Sequence, residues 1–283
     1  MKFFPFVVCF VGYLLASESI TLSFIGDCTI GSEIYNPSFD SVAIKNPPEY
    51  FFADVAEIFK KDDLTIANLE TPITTCNNPV PKKFRFKGKP EYLKILTMGN
   101  VDIVNLSNNH SFDYGKKGYE QTIQYLDQYG LCFFDLDHPL ILTIKSRKFV
   151  FLGSLGSQIN QLIPLVSQYK DSATVIVSLH WGIEHTYEPT MEQMDQAHIL
   201  IESGVALIVG HHPHVLQPVE QYRGRYIFYS LGNFCFGGNK NPKDKRSMIA
   251  QVTFNGDKQT LRKIPVLISS HNDYNDFRPR RVE

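Results

Sequence analysis

The sequence predicts an α/β protein with parallel strands at its centre, and three observations support this fold class. Short apolar runs typical of buried strands recur along the 283 residues. Amphipathic stretches of helical period lie between several of these runs, as in βαβ units. Almost every apolar run leads straight into a polar cluster, which is typical of parallel strands whose carboxyl ends share a binding edge.

The N-terminus has the residue order of a secretory signal. Met1-Lys2 precedes an apolar run over residues 3–16, and the small residues Ser17 and Ser19 follow it. The run is shorter than the ~20 apolar residues that a membrane-spanning helix needs, which favours a cleaved signal over a retained anchor. We therefore predict a signal peptide over residues 1–19, a single domain over residues 20–283, and a secreted or cell-envelope location.

The elements after this segment follow one another as strands, helices and strand pairs. Pro47-Pro48 opens the first predicted helix, because proline is favoured in a first helical turn. Segments 140–153 and 248–268 have the pattern of strands joined by short turns, which adds antiparallel strands to the parallel core. The predicted strands cover residues 22–25, 64–67, 101–106, 174–179, 206–209 and 225–229, and the predicted helices cover residues 49–60, 115–129 and 191–203.

Charge and cysteine content limit the function classes. The formal net charge of −1 lacks the basic excess of nucleic-acid-binding proteins, so we predict no nucleic-acid partner. Four cysteines lie outside the predicted signal, without the Cys-x-x-Cys pairs of a structural zinc site. In an exported chain they fit either two disulfides or unpaired, partly buried thiols, and the sequence leaves both open.

Polar clusters at the ends of the apolar runs contain the candidate functional residues. Taken singly, each is more typical of a turn, a helix cap or a hydrogen-bonded core histidine than of a ligand site. Together they are expected to converge on one edge of the sheet. The clusters are Gly26-Asp27, Asn68-Leu69-Glu70, Ser107-Asn108-Asn109-His110, His180-Trp181-Gly182 with Glu184, Gly210-His211-His212-Pro213-His214 and Ser230-Leu231-Gly232-Asn233-Phe234.

This combination of carboxylate, amide and imidazole groups suits a divalent transition metal. Mixed nitrogen and oxygen ligands favour Zn²⁺, Mn²⁺ or Fe²⁺, and a bridging carboxylate can hold two such ions ~3.5–4 Å apart. His212-Pro213-His214 is the strongest local signal, since two imidazoles in one rigid loop can reach a single site. His110 follows Asn109 and is a candidate general acid for the leaving group.

In their order and rough spacing, these six clusters resemble the CapA-type proteins of poly-gamma-glutamate capsule synthesis, within the calcineurin-like metallophosphoesterase superfamily. The resemblance extends from Ile20 to the C-terminus, including Ile264-Pro265-Val266. It implies a four-layer α/β/β/α sandwich with one or two metal ions. By position, the implied metal ligands are Asp27, Glu70, Asn109, His180, His212 and His214, with His110 as the acid and His211 outside the ligand set.

One motif departs from the classical phosphoesterases. Their first motif is Asp-x-His, whereas this chain has Asp27-Cys28-Thr29. A histidine that helps to hold one metal is therefore missing, as it is in the CapA-type proteins that the chain resembles. Cys28 is not expected to replace it, since neighbouring residues of a strand point to opposite faces.

Two functions follow from the resemblance. The first is metal-dependent hydrolysis of a phosphate ester, or of an amide in an anionic polymer. The second is a non-catalytic envelope component that binds an anionic polymer or a membrane-bound synthase complex. Asn68, Glu184 and Arg85 are predicted substrate contacts. Arg85 belongs to the basic stretch Lys83-Phe84-Arg85-Phe86-Lys87, which is expected to form an amphipathic strand with its phenylalanines on one face.

Overall fold

The computed structural model describes residues 18–282, which form sixteen strands and seven α-helices. In chain order the strands are β1 (Ile20–Thr29), β2 (Ser32–Glu33), β3 (Leu64–Leu69), β4 (Phe86–Lys87), β5 (Ile103–Asn105), β6 (Cys132–Phe134), β7 (Leu140–Ile144), β8 (Arg147–Leu155), β9 (Thr174–His180), β10 (Leu207–His211), β11 (Val219–Tyr222), β12 (Arg225–Phe228), β13 (Asn233–Phe236), β14 (Arg246–Asn255), β15 (Lys258–Leu267) and β16 (Arg280–Arg281). The α-helices are α1 (Ser38–Ala43), α2 (Glu49–Phe52), α3 (Ala56–Phe59), α4 (Leu93–Met98), α5 (Gly115–Gln128), α6 (Ile159–Tyr169) and α7 (Met191–Ser203).

The larger of two main sheets has eight strands. Seven of them lie in the order β16-β15-β14-β1-β3-β5-β6, and β13 also pairs with β1. The strands β1, β3, β5 and β6 are parallel, whereas β14 and β15 add an antiparallel side. This arrangement matches the predicted parallel core with antiparallel additions.

The smaller sheet has six strands in the order β11-β12-β10-β9-β8-β7. Its four central strands, β12, β10, β9 and β8, are parallel, and antiparallel strands close both edges. The chain is therefore an α/β protein with two mixed sheets, in agreement with the predicted fold class. A separate two-stranded sheet joins β2 to β4.

Three apolar clusters hold these elements together. The first combines residues of the larger sheet with residues of α1 to α5, such as Phe39, Phe52 and Leu126. The second combines strand residues of both sheets, including Phe24 of β1 and Phe151 of β8. The third packs α6 and α7 on the smaller sheet. Alternate residues of a strand face opposite sides, which is why one strand contributes to two clusters.

Helix α7 has the bounds that the sequence predicts, because both of its ends are encoded locally. The Thr190 side chain accepts a hydrogen bond from the Gln193 amide, and the Gln193 side chain accepts one from the Thr190 amide. This capping box begins the helix. Gly204, with φ of 117°, ends it in a left-handed conformation that glycine adopts without steric cost.

Two predicted elements were wrong. The predicted helix over residues 49–60 is divided into α2 and α3, because Val55 leaves the helical region, with φ of −127°, and is buried in the core. The predicted strand over residues 83–87 is paired only at β4. Phe84 is 50% exposed and Phe86 only 5%, so the two rings do not share a buried face.

All four cysteines of the described residues are free thiols. Cys28 and Cys235 are partners in the parallel pairing of β1 with β13, and both are fully buried. Burial raises the pKa of Cys28 to about 12, so its thiol is protonated at neutral pH. This state agrees with the expectation that Cys28 does not replace a metal-binding histidine.

The predicted signal peptide lies almost wholly outside the described residues. Within residues 18–282, none of the helices has the length and apolar character needed to span a lipid bilayer.

Candidate metal centre

Polar side chains at the carboxyl ends of strands from both sheets lie next to one another. Asp27 lies near the end of β1 and Glu70 directly follows β3, whereas His180 ends β9 in the smaller sheet. His180 Nε2 lies 3.6 Å from Glu70 Oε1. The edges of the two sheets therefore meet at this pair, where the sequence predicts their polar ends to converge.

A break in the register of β1 positions Asp27. The pairing of β1 with β3 shifts between Phe24 and Asp27, as at a β-bulge. Gly26 lies at this break, and a Cβ atom there would be 1.9 Å from Gly232 O. Because only glycine permits this approach, the Asp27 amide can donate to Gly232 O at 2.9 Å.

The Asp27 carboxylate is fully buried but has several partners. Asn68 Nδ2 donates to its Oδ1 at 2.8 Å, and His211 Nδ1 lies 3.1 Å from the same oxygen. His214 Nδ1 lies 3.2 Å from Oδ2. Burial alone would raise the pKa of Asp27, but the interactions with His211 and His214 outweigh it and hold the pKa well below its ordinary value. Asp27 is therefore a carboxylate at neutral pH.

Glu70 differs from Asp27 because its carboxylate lacks hydrogen-bond partners. Both of its oxygens are buried, and neither has a hydrogen bond with any described residue. Burial raises the pKa of Glu70 well above its ordinary value. A buried carboxylate without donors is costly unless a cation compensates it. Glu70 therefore fits a metal ligand.

His180, like Glu70, lacks hydrogen-bond partners. Both of its ring nitrogens are buried without a hydrogen-bond partner in residues 18–282. Burial, reinforced by the nearby His212 ring, lowers the pKa of His180 well below its ordinary value. The imidazole is therefore neutral and keeps a free lone pair, as metal binding requires.

Three overlapping groups of side chains have ligand atoms within 4.8 Å of one another. Glu70 belongs to the first two groups, as expected of a carboxylate that bridges two ions. The third group contains Glu184, which the sequence interpretation assigns to substrate. The groups are Glu70 with His180 and His212, Asp27 with Glu70 and His214, and Glu184 with His212 and His214.

The His212-Pro213-His214 loop adopts an uncommon backbone conformation. His212 has φ of 97° and His214 has φ of 57°, in the region that residues with a Cβ rarely enter. Such residues cost about 1–3 kcal/mol each and cluster at functional sites. Both rings belong to groups of candidate ligands, and His214 Nε2 lies 3.8 Å from Glu70 Oε1. Burial opposes the charge of His214, but Glu70 and Asp27 outweigh it and raise its pKa to about 9, so a metal ion that binds His214 has to displace a proton from the ring.

The His110 ring lies beside this group and has a buried carboxylate partner. Its Nδ1 lies 2.6 Å from Asp113 Oδ2, while Lys82 Nζ donates to Asp113 Oδ1 at 2.9 Å. Lys82 Nζ also donates to the Asn109 carbonyl at 2.6 Å. Burial lowers the pKa of His110 despite the Asp113 charge. Asp113 and Lys82 are absent from the sequence-predicted site, although the His110-x-x-Asp113 spacing was a usable signal.

Two clefts open beside the candidate ligands. The α7 cleft, of about 390 Å³, is lined by Asn109, Leu155, Gly156, Ser157, His180, Trp181, Gly182, Ile183, Thr190, Glu192, Gln193, Gln196 and His212. The aromatic cleft, of about 620 Å³, is lined by Phe84, Phe86, His110, Glu184, His185, Tyr187, His214, Val215, Asn233, Phe236, Gly238, Asn239, Asn241, Pro242, Lys243 and Asp244. The site therefore has solvent access on two sides.

Two residues predicted to contact substrate lie elsewhere. Asn68 is fully buried, and its amide group bonds to Asp27, Asn105 and Asn108, so it supports Asp27 instead of facing a cleft. Arg85 lines neither cleft; its guanidinium donates to Tyr35 Oη at 3.4 Å. Spacing alone could not separate a supporting amide from one open to a ligand.

The basic stretch around Arg85 is largely engaged within the chain. Lys82 pairs with Asp113, Lys89 pairs with Asp40 at 3.6 Å, and Lys87 Nζ donates to the Cys76 carbonyl at 2.6 Å. Lys82 and Lys89 are thus paired with carboxylates, whereas the Lys87 contact is with a neutral oxygen.

The two asparagines before His110 have different roles. Asn108 is buried, and its side chain donates to the Leu69 carbonyl at 2.9 Å and to Asn68. Asn109 is exposed and lines the α7 cleft with His180 and His212. Its position keeps Asn109 available as a ligand, whereas Asn108 holds the ends of β3 and β5 together.

Comparison with known proteins supports the family resemblance that the polar clusters of this site indicate. Residues 21–155 and 144–238 match the family model of the bacterial capsule synthesis protein PGA_cap. The chain is 30% identical over 249 residues to the PGA biosynthesis protein CapA of Bacillus subtilis (strain 168), which covers 78% of this chain and 64% of that protein.

Two further relatives are more distant. The capsule biosynthesis protein CapA of Bacillus anthracis is 28% identical over 253 residues, covering 78% of this chain and 60% of that protein. A probable polyglutamine synthesis accessory protein of Mycobacterium tuberculosis is 24% identical over 252 residues, covering 73% of this chain and 66% of that protein. The chain thus spans less than two thirds of the length of these relatives. Since the family model matches most of the chain, from residue 21 to residue 238, the chain belongs to the CapA-type bacterial capsule synthesis proteins.

Proposed function

We propose that this chain is a metal-dependent phosphoesterase that acts in the production of an anionic capsule polymer. The observation that carries the proposal is Glu70, whose buried carboxylate has no hydrogen-bond partner among the described residues and lies within reach of His180 and His214. A cation at this point would offset the cost of burying that charge.

The ligand set proposed is Asp27, Glu70, His180, His212 and His214, with Asn109 and Glu184 at its open side. Nitrogen and oxygen donors without thiolate favour Mn²⁺, Zn²⁺ or Fe²⁺. The shared position of Glu70 in two of the three ligand groups supports a two-ion site. Bound there, the ions would supply an activated water and charge stabilisation for phosphoryl transfer.

The four-layer α/β/β/α arrangement of metallophosphoesterases belongs to the same proposal. Its support is the composition of the three apolar clusters: helix with sheet, sheet with sheet, and sheet with helix. In that arrangement the carboxyl ends of both sheets share one edge, where Glu70 and His180 lie.

The residues of the chain have separate tasks in the proposed reaction. Asp27 is held ionised by His211 and His214, so it offers a fixed negative charge. His180 and His212 are neutral, since burial lowers the pKa of each. Because a carboxylate only accepts hydrogen bonds, we assign the Nδ1 proton of His110 to its 2.6 Å contact with Asp113 Oδ2. His110 Nε2 is then the nitrogen that gives a proton to the leaving oxygen.

The capsule context rests on the relatives. Those from Bacillus are named for PGA or capsule biosynthesis, and the mycobacterial one for accessory synthesis of polyglutamine. We place this chain in the same process, at the cell envelope or outside the cell, as the order of residues 1–19 predicts. A membrane-bound synthase complex is the proposed partner.

Thr29 favours a second function, in which the chain binds an anionic polymer without catalysis. It occupies the position of the histidine in the Asp-x-His motif, and its hydroxyl donates to the Glu70 carbonyl at 3.1 Å. With one imidazole fewer, the site would bind a metal and an anionic polymer without turnover.

The test is metal analysis combined with an ester assay. The purified chain is loaded with Mn²⁺, Zn²⁺ or Fe²⁺, desalted, analysed for metal, and assayed on p-nitrophenyl phosphate and bis(p-nitrophenyl) phosphate. We expect at least one bound ion per chain and hydrolysis of one ester. The matched variants are His180→Ala, which should lose the metal, and His198→Ala, which lies outside the site next to Glu220 and should keep it.

The outcomes separate the two functions. Metal binding without turnover of either ester favours the binding function over the enzyme. A chain that keeps no metal after loading, with His180 intact, contradicts both.

A further inference from the structure

The two clefts contact the candidate metal centre through different residues. The α7 cleft reaches it at Asn109, His180 and His212, and the aromatic cleft reaches it at His110, Glu184 and His214. The two sets of lining residues have no member in common. A substrate bound at the metal centre therefore has open space beside it in two separate directions.

From this geometry we infer that the substrate is a phosphodiester with a bulky group on each side of the phosphorus, one group in each cleft. The inference rests on the proposed function and narrows it, because a phosphomonoester has only one such group. Hydrolysis of the diester would break one P–O bond inside a linear chain. The water oxygen bonds to phosphorus and releases a proton to solvent, and the departing oxygen takes a proton from His110, which leaves a monoester and an alcohol.

Cleft size supports a substituent on both sides. The volumes of about 390 Å³ and 620 Å³ each fall within the range of about 300–1,000 Å³ that is typical of sites for drug-sized ligands. A monoester bound at the metal centre would fill one of them and leave the other to water. The outer ends of both clefts include exposed residues, Ser157 and Glu192 in one and Asn239 and Lys243 in the other. A chain could thus continue past the site in both directions.

The walls of the clefts differ in chemistry, which implies two different substituents. In the aromatic cleft, Phe84 is 50% exposed and Tyr187 is 49% exposed. Lys83 lies over the Phe84 ring and Arg246 over the Tyr187 ring, so the cleft offers partly exposed ring surface beside these cations. In the α7 cleft, the exposed Ser157 offers a hydroxyl, a neutral hydrogen-bonding group. An apolar or ring-bearing group fits the first cleft, and a polar group fits the second.

The experiment blocks each cleft separately and measures binding as well as turnover. Ser157→Trp fills the α7 cleft and Asn241→Trp fills the aromatic cleft, both from exposed positions. Ser172→Trp is the matched control, since Ser172 is exposed and precedes the opposite end of β9. Thermal melting shows that each variant is folded. The Mn²⁺-loaded proteins are titrated with bis(p-nitrophenyl) phosphate and p-nitrophenyl phosphate by calorimetry, and kcat/KM is measured for both esters.

We expect the diester to bind the wild type at least about tenfold more tightly than the monoester. Each cleft variant should remove most of that preference. It should leave the monoester Kd within about threefold, because the single nitrophenyl group can enter the cleft that stays open, and Ser172→Trp should change neither. Equal binding of the two esters overturns the inference, as does an effect confined to one cleft variant or the absence of binding by both esters. If the diester preference and both variant effects appear in binding without turnover, the inference stands and the proposed phosphoesterase activity fails.

Discussion

His110 and Asp113 form a buried pair, with His110 Nδ1 2.6 Å from Asp113 Oδ2 and both side chains less than a tenth exposed. The other Asp113 oxygen accepts from Lys82, and Oδ2 also accepts from the Phe86 amide at 2.8 Å. One carboxylate thus orients the ring and fixes the segment that carries Phe86. Asp113 acts through His110, so it is a positioning residue.

We expect Asp113→Asn to lower the rate of ester hydrolysis about 10- to 100-fold while metal content stays unchanged. The amide removes the negative charge that counteracts the effect of burial on the His110 pKa, so the acidic protonation state of the ring becomes rarer. The measurement is the pH profile of kcat, in which the descending limb should move to lower pH.

The control for Asp113→Asn is Asp127→Asn, on the exposed face of α5. A purely structural role for Asp113 would lower the melting temperature and leave the pH profile of the remaining activity in place. That result would contradict the assignment.

Glu70→Gln should abolish metal binding and make the metal-free protein more stable. The wild-type carboxylate is fully buried without hydrogen bonds, and its pKa is raised because burial outweighs the attraction to His214. A neutral amide at this point therefore removes the larger, unfavourable contribution, the burial of a charge. Denaturant unfolding in the presence of a chelator measures the free energy of unfolding. A metal-free variant less stable than metal-free wild type would show that Glu70 has an unrecognised partner.

The elements best predicted from sequence are those with local signals. The bounds of α7 follow from its capping box and Gly204, and the apolar runs at β1, β3, β9, β10 and β12 predict strands close to those found. The division of residues 49–60 depends instead on the burial of Val55 against distant strands. Local propensity contains no information about that packing.

In the candidate site, too, some residues follow from local sequence patterns and others depend on how distant segments pack. Strand-end residues such as Asp27, Glu70 and His180 were predictable, because the ends of parallel strands meet at one edge. Asn68, predicted to contact substrate, is buried and bonded to Asp27, and sequence does not distinguish an amide that supports Asp27 from one that faces a cleft. Glu184 was placed with substrate although it lies within reach of His212 and His214, because a loop conformation decides where its carboxylate lies.

Gly210 allows β10 to approach the chain after β12, and we expect Gly210→Ala to lower the free energy of unfolding by about 1–3 kcal/mol. A Cβ atom there would lie 2.1 Å from Tyr229 O and 2.5 Å from Trp181 Nε1, so backbone must move. The comparison is Gly224→Ala, where a Cβ meets no atom within 4 Å and only the positive φ of 77° opposes alanine. Equal losses in chemical denaturation would show that the contact is relieved cheaply.

The last prediction concerns Glu184, whose carboxylate lies within ligand distance of His212 and His214 on the side of the aromatic cleft. If Glu184 completes the second ion position in place of the histidine that Thr29 replaces, Glu184→Gln should lower metal content from two ions towards one. An amide oxygen is a weaker donor than a carboxylate, so the loosely held ion should be lost first.

Glu188→Gln is the matched control, because Glu188 is exposed in the same loop and belongs to none of the ligand groups. Metal content is measured by elemental analysis after loading and desalting, and the affinity of each ion by competition with a chelator. Unchanged stoichiometry with a higher KM for the ester would return Glu184 to the substrate-binding role that the sequence predicts. Loss of both ions would instead make Glu184 as essential as Glu70, an outcome that its exposed position argues against.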